Sequence, residues 1–388
     1  MQIFFSVGEP SGDLHAGRLI SELRRQRPWL QAVGLGGPNM QRAGCQLLYP
    51  LVKHAVVGLA EALPQLWQMR CLLQQVHDYL KKHRPDVVVV VDYPGFNWHV
   101  ARLAKGLKLP VVYYLPPQLW AWAPWRIRKV RKYVDLVLSG LPFEAEWYAQ
   151  RRVPVLYVGH PFFDEVAERE LDAAFLKEWT TDEGATVALL PGSREHEVRG
   201  CWPLLLEAAV RVSGMHPTAQ FLVANYNEPQ REYCRRAYEH HGIRLPITFF
   251  VGRTSEVIEL ADCALMVSGS VSLELLARKT PASVVYRCSW PTYLIGRCLL
   301  TCDSITLPNL IARRKLFPER VSVGNPEPAI RELVHDVHHW LSFPRILDEC
   351  RAELEKLYRA VYQPGASRRV ADILLQVIDD RRVTRSAA

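Results

Sequence analysis

A chain of 388 residues exceeds what one ordinary hydrophobic core fills, so two domains are expected. An apolar fraction of 49% and a charged fraction of 23% exclude a fibrous or disordered chain. The net charge of +8 favours anionic partners, leaving nucleic acid, anionic lipid and phosphorylated metabolites open.

The chain opens on a strand, Ile3 to Val7, with no basic, cleavable leader ahead of it. Gly8-Glu9-Pro10-Ser11-Gly12-Asp13 then leads into a helix to about Arg27, with Ser11 as its expected N-cap and Asp13 at the positive end of its dipole. Such a turn either meets a ligand or simply joins strand to helix. Val33-Gly34-Leu35-Gly36-Gly37-Pro38 lacks the glycine spacing of a dinucleotide finger, which argues against a nicotinamide site. From Val56 to Leu73 runs a wide apolar stripe that includes Val57, Leu59 and Trp67, with Pro64 predicting a bend or two short helices. Core packing and a membrane-dipping patch both account for it.

Asp86 to Val91 is the clearest strand, and its valine run is far too short to span a bilayer. It ends at Asp92-Tyr93-Pro94-Gly95-Phe96-Asn97, where Asp92 suits either a general base or a helix cap, with the helix expected to begin near Asn97. A strand from Val111 to Leu115 delivers Pro116-Pro117-Gln118-Leu119-Trp120-Ala121-Trp122. Trp125 to Lys132 sets five cations among apolar residues, fitting phosphate, an anionic membrane, RNA or a solvated helix face. Val134 to Ser139 is the next strand, after which Leu141-Pro142-Phe143-Glu144 opens a helix.

The strand–helix alternation resets after Gly159-His160-Pro161. Thr186 to Leu190 ends in Pro191-Gly192-Ser193-Arg194, whose arginine suits a diphosphate. Strands follow at Phe221 to Ala224, Ile247 to Val251, Cys263 to Val267 and, as the last strong one, Ser283 to Tyr286. Ser268-Gly269-Ser270 and the helix from Val271 read as an anion turn, with Glu274 one turn on to take ribose hydroxyls. A plain strand–helix connection explains the same residues. Asn309 sits in an expected loop within reach of a phosphate. From about Arg331 the pattern is helical; His335, His338 and His339 fit a solvated face better than a metal, and Ser367 is the expected cap of the last helix. Nine scattered cysteines without metal-type pairing predict reduced thiols in the cytoplasm.

Taken together, the Gly8–Asp13, Asp92–Asn97, Trp120–Trp122, Leu141–Glu144, Val158–Pro161, Leu190–Arg194, Ser268–Glu274, Leu307–Leu310 and Pro318-Glu319 segments resemble the lipid-A-disaccharide synthase family in order along the chain. The resemblance implies an α/β chain of GT-B architecture: two Rossmann-like doubly wound domains facing a cleft, with C-terminal helices. The expected boundaries are 1–160 for an acceptor domain, 161–345 for a UDP-sugar domain, and 346–388 for a helical segment packing back on the first. The implied reaction transfers a UDP-activated diacylglucosamine to the 6-hydroxyl of diacylglucosamine 1-phosphate, with inversion, no metal and no cofactor. Asp92 is the implied base, with Glu9 as rival. Glu9, Ser11, Gly12, Asp13, Asn97, Gln118 and Trp120 are expected at the acceptor; Gly192, Ser193, Arg194, Ser268, Gly269, Ser270, Glu274, Tyr286 and Asn309 are expected at UDP.

The chain has Ser270 and Ser272 where the family usually has threonines, which keeps both hydroxyls. It has Arg320-Val321-Ser322 after Glu319 in place of Leu-Leu-Gln, so no role of that glutamine carries over. Peripheral contact with an anionic membrane at its cytoplasmic face is expected, nucleic acid is not, and the sequence leaves oligomeric state open, a homodimer included. A UDP-sugar epimerase of the same fold and a non-enzymatic nucleotide-sugar or lipid-binding protein are the competing readings.

Overall fold

The computed structural model describes residues 1–54, 62–181 and 183–386. They form two compact units, unit 1 joining Met1–Asp164 to Gln363–Ala388 and unit 2 comprising Glu165–Tyr362.

Unit 1 is built on β1 (Gln2–Val7), β2 (Gln31–Leu35), β3 (Gln46–Tyr49), β4 (Val87–Val91), β5 (Val111–Tyr114), β6 (Leu136–Ser139) and β7 (Val155–Tyr157). They form one parallel sheet in the order β3-β2-β1-β4-β5-β6-β7. The valine run of β4 follows from burial on both faces. Val88 and Val90 pack on one side with Leu72, Val76 and Val100; Val87, Val89 and Val91 pack on the other with Leu19, Ile20 and Leu374. Gly34 is a packing glycine: a Cβ there would lie 2.0 Å from the Phe5 carbonyl oxygen on β1.

Leu374 belongs to the last helix, Ala366–Ser386, which packs on unit 1 through Val370, Leu374 and Ile378. Its start is fixed by Asp164, whose carboxylate accepts from the Gly365 and Ala366 amides at 2.9 and 2.7 Å, so Ser367 lies inside the helix rather than capping it. The segment from 346 onward therefore does not behave as one piece. Helix Pro344–Val361 stays with unit 2, burying Leu347 in its core, and the chain crosses back only at Gln363.

Unit 2 contains β8 (Thr186–Leu190), β9 (Gln220–Asn225), β10 (Ile247–Val251), β11 (Cys263–Val267), β12 (Ala282–Cys288) and β13 (Glu319–Val323), parallel and ordered β10-β9-β8-β11-β12-β13. The edge strand β13 lies beyond the last strand legible in the sequence; its burial is partial and Arg320 and Ser322 interrupt its apolar residues. Val56, Val57 and Leu59 lie outside the described residues, and Pro64 falls in the first turn of a helix, Ala62–His83.

In both sheets the strand order reverses once, between β1 and β4 in unit 1 and between β8 and β11 in unit 2. At such a point the connections leave in opposite directions and open a crevice beyond the carboxyl ends of the two strands.

Candidate functional site

The unit 1 crevice lies above a fixed register, Val7 opposite Val91. Glu9 is two residues past the first and Asp92 one past the second, so the register brings two carboxylates together. Helix Pro10–Gln26 starts with Pro10 at its first position and Glu9 as an extended N-cap whose side chain makes no capping bond. That differs from the expected Ser11 cap and leaves both Glu9 and the exposed Ser11 turned to other partners.

Burial and the charge of Glu9 together push the Asp92 carboxyl up to about 7, against which one bond from the Tyr93 amide works. Asp92 and Tyr93 both sit at left-handed φ, 43° and 46°, and Leu115 on the neighbouring strand end sits at 48°. Non-glycine residues pay strain there, so something must hold them. Asn97 does. Fully buried, it donates to the carbonyls of Ser6, Val91 and Asp92 at 3.1, 3.0 and 2.7 Å and accepts from the Ser6 hydroxyl at 2.7 Å. The Tyr113 hydroxyl adds a 2.9 Å bond to the Asp92 carbonyl, and the Tyr93 ring lies where any Cβ on Gly8 would stand. The following helix is Pro94–Gly106, starting three residues before the position expected from sequence because Pro94 takes its first position. Asn97 is thus the lock under the site rather than a ligand of it.

Asp13 is likewise structural. Buried, it accepts from the Gly37, Asn39 and Met40 amides at 2.9, 2.9 and 3.1 Å and caps the short helix Pro38–Arg42. Gly12 is buried against Val7. Gln118 is exposed at the start of helix Leu119–Trp122, and Trp120 is buried with its indole donating to Glu144 at 3.0 Å. Glu144 was not anticipated as a site residue. It also accepts from Ser139 at 2.6 Å, and burial pushes its carboxyl up to about 7, with the charge of Asp92 adding to the effect. The sequence showed Glu144 only as part of the Leu141–Glu144 helix start; its burial has no local mark. Buried His15 and half-buried His160 form a second pair, rings edge-on at 5.9 Å. Desolvation holds them down at about 3 and about 4, so both are neutral near pH 7.

In unit 2 the register sets Leu190 opposite Met266 and brings the Pro191–Arg194 and Ser268–Ser270 turns to neighbouring strand ends. Gly192 takes φ 104°, a left-handed turn that suits glycine. Arg194 is the N-cap of helix Glu195–Met215; its guanidinium is exposed and bonds the buried Glu197 at 2.9 Å. Tyr286, half-buried, lies near enough to Glu197 and Arg194 for their charges to act on its hydroxyl. Ser193, Gly269 and Ser270 are exposed, while Ser268 donates to the Ile305 carbonyl at 2.8 Å. Glu274 is buried and paired at 3.2 Å with Arg278 one turn on, which fixes its orientation.

Asn309 departs from expectation. It lies in helix Leu307–Ala312 rather than a loop, is buried, donates to the Phe317 carbonyl at 2.7 Å and accepts from the Leu316 and Phe317 amides at 2.7 and 2.9 Å. Glu319 anchors the same region by accepting from the Ile305 and Thr306 amides at 3.0 and 2.8 Å.

Beyond β12 lies an element that the sequence reading passed over. Helix Trp290–Leu299 buries none of its residues; Trp290, Leu294 and Ile295 are each more than half exposed, at 59%, 57% and 58%. Unit 1 exposes Trp67, Trp122 and Trp125.

A family model described as lipid-A-disaccharide synthetase matches residues 3–332. A lipid-A-disaccharide synthase of Anaeromyxobacter sp. (strain K) is 35% identical over 377 residues, covering 97% of each chain. That of Myxococcus xanthus (strain DK1622) is 35% identical over 384 residues, covering 98% of this chain and 99% of its own. Among solved structures, UDP-GlcNAc 2-epimerase from Neisseria meningitidis bound to UDP-GlcNAc aligns with TM-score 0.67 at 12% identity, covering 97% of this chain and all of that one at 100%. MurG of Acinetobacter baumannii aligns with TM-score 0.57 at 12% identity, covering 97% and 99%. These likenesses show the two-domain α/β fold of the GT-B type.

Because the Asn309 amide holds backbone, Asn309→Ala should lower unfolding free energy by about 1–3 kcal/mol, the cost of leaving buried groups unpaired. Denaturant titration measures it; an unchanged midpoint with weakened UDP binding would return Asn309 to the ligand.

Proposed function

The chain belongs to the lipid-A-disaccharide synthetase family, and from that membership we propose how its residues carry out glycosyl transfer. It condenses UDP-2,3-diacylglucosamine with 2,3-diacylglucosamine 1-phosphate, giving the β-1,6-linked disaccharide 1-phosphate and UDP. The bond formed joins the acceptor's O6 to the donor's anomeric carbon, and the bond broken releases UDP with the electron pair. The acceptor's proton goes to Asp92. The observation that carries this assignment is Asp92 itself: half-buried beside Glu9 and raised to about 7, it is a stronger base than an ordinary carboxylate and remains substantially ionised near neutral pH. Strain at the strand end, held by Asn97, keeps it from wandering.

Donor binding falls to unit 2. Arg194 and the amides opening the helix at Val271 supply positive charge for the diphosphate as it leaves, and Glu274 accepts the ribose hydroxyls with the oxygen that Arg278 leaves open. Ser193, Gly269 and Ser270 let the backbone approach closely. Glu9 and Ser11 are the acceptor contacts of unit 1, and exposed Gln118, after β5, is a third.

Both substrates are acylated, so the enzyme meets them at a bilayer surface, on its cytoplasmic face. No helix among the described residues is long and apolar enough to cross a membrane. Exposed Trp67, Trp122 and Trp125 in unit 1 and the unburied helix Trp290–Leu299 in unit 2 support surface contact.

Incubation of UDP-diacylglucosamine with and without the monosaccharide phosphate tests the transfer: UDP should appear only with acceptor. Epimerised or hydrolysed donor in its absence would overturn it. Arg194→Ala should weaken UDP binding by about 1.5–3 kcal/mol in calorimetry, the worth of a hydrogen bond to a charged group. Unaltered affinity removes Arg194 from the site.

Asp92→Asn should bind UDP normally and lose about 10²–10⁴ in turnover. For the wild type, the rate should rise with pH through about 7, since Asp92 must be unprotonated to accept. Glu9→Gln removes a like charge and should move that limb to lower pH. A limb that stays in place in Glu9→Gln, or collapse of turnover in Glu9→Gln but not in Asp92→Asn, exchanges the two roles.

Leu294→Ser with Ile295→Ser, both exposed, should fold normally and float less with anionic vesicles. Undiminished flotation would place the apolar contact elsewhere.

A further inference from the structure

Three helices of unit 1 turn matching stripes toward one another. Gly95, Trp98, His99 and Arg102 follow i, i+3, i+4, i+7 spacing on helix Pro94–Gly106. Facing them, Arg126, Lys129 and Tyr133 recur at i, i+3, i+7 along Pro124–Arg126 and helix Ile127–Tyr133. The two stripes enclose a cavity of about 240 Å³. Arg70, Gln74 and His77 on helix Ala62–His83 close a second cavity of about 280 Å³ on the other side of His99 and Arg102, which line both.

The linings are one-sided in charge. Arg70, Arg102, Arg126 and Lys129 contribute four cations, and neither lining contains a carboxylate. Among the described residues none of the four forms an ion pair, whereas most arginines of unit 2 are matched with a glutamate or aspartate. Like charges left close together repel, and Arg102 with Lys129 already holds the His99 ring below its ordinary value after burial has lowered it. Arg70, Arg102 and Lys129 are exposed and Arg126 is half-buried, so water screens part of their repulsion, and an anion seated among them is attracted by all four.

A second observation is independent of charge. Trp98 is buried, only 6% exposed, yet its indole N–H has no acceptor among the described residues. A buried donor without a partner is rare in a folded chain and points to an acceptor supplied from outside. Trp98 lines the first cavity, with the Lys129 ammonium 5.9 Å from its ring centroid. Gly95 opens the same cavity: a Cβ there would meet nothing within 4 Å.

We propose that these paired cavities are a phosphate-binding site for the headgroup of a lipid, with Arg102 and Lys129 as its central cations and the Trp98 indole N–H as an additional donor. A phosphate offers several strong acceptor oxygens and up to two negative charges, which three convergent donors match. Their volumes suit a small headgroup and are too small for a whole disaccharide. Exposed Trp125 and Trp122 stand beside the basic helix, and Arg126 lies 4.5 Å from the Trp122 ring centroid, so an apolar rim accompanies the charged floor. Two lipids carry such a group: an anionic phospholipid of the bilayer, and the acceptor's own 1-phosphate. The second source rests on the transferase reading; the first does not.

The experiment separates them with Arg102→Gln plus Lys129→Gln in the full chain. Lys81→Gln plus Lys82→Gln makes the same change in net charge outside the cavities, on exposed residues. Flotation with phosphatidylglycerol vesicles, against phosphatidylcholine vesicles at equal ionic strength, reads the bilayer source. The KM for the monosaccharide phosphate in detergent micelles reads the acceptor source, and UDP affinity by calorimetry serves as the folding control. A tenfold or greater loss of partition confined to the cavity variant assigns the site to the phospholipid. A tenfold or greater rise in KM, with kcat and flotation preserved, assigns it to the acceptor. Trp98→Phe, which keeps the ring and removes the N–H, should move the same readout severalfold in the same direction. If the cavity variant leaves both readouts unchanged, or the control variant moves them equally, the proposal is overturned: the cluster is then a generally basic face.

Discussion

The parallel pairing of β1 with β4 is the constraint on which unit 1 depends. With Val7 locked opposite Val91, the chain leaving β1 and the chain leaving β4 must diverge, because each crossover helix covers a different face of the sheet. The space between them is a consequence of topology, and so is the meeting of Glu9 with Asp92. Unit 2 repeats the solution at β8 and β11, where the same divergence sets the arginine of one turn beside the serines of the other. A one-residue slip in either pairing would turn every buried strand residue to the opposite face, so the core that enforces the register also enforces the site.

That enforcement has a local cost at β4. Asp92 and Tyr93 occupy left-handed backbone that ordinary residues avoid, and the strain is held by the Asn97 amide, bonded to three carbonyls from two strand ends, and by the Tyr113 hydroxyl on the Asp92 carbonyl. A polar side chain can be fully buried there because its amide group is satisfied, by the Ser6, Val91 and Asp92 carbonyls and by the Ser6 hydroxyl. Asp13, Asn309 and Asp164 act in the same way at a helix start, a loop and the return of the C-terminal helix.

These residues mark the limit of what the sequence discloses. The central strands were legible because burial on both faces demands apolar runs, and β4, β8 and β11 show them. Their carboxyl ends were legible as site positions because small residues, proline and charge are clustered there. What a given polar side chain bonds was not. Asp13 and Asn309 have the composition of ligands, and only the fold reveals that amides 24 and 8 positions away reach them first. Helix Trp290–Leu299 escaped for the opposite reason: nothing local in its apolar residues says whether a core covers them. Edge strand β13 is half-covered and interrupted by Arg320, so its run never stands out.

Glu144 extends the argument from geometry to chemistry. It is held by Ser139 and by the indole of Trp120, and its charge and that of Asp92 act on each other's surroundings through low-dielectric protein. With Glu9 as well, three carboxyls follow the strand ends of β1, β4 and β6; beyond the effect of burial, the charge of Glu9 raises Asp92 and that of Asp92 raises Glu144. The raised Asp92 carboxyl is thus a property of the β1 and β4 strand ends together, brought side by side by the same sheet order that opens the crevice.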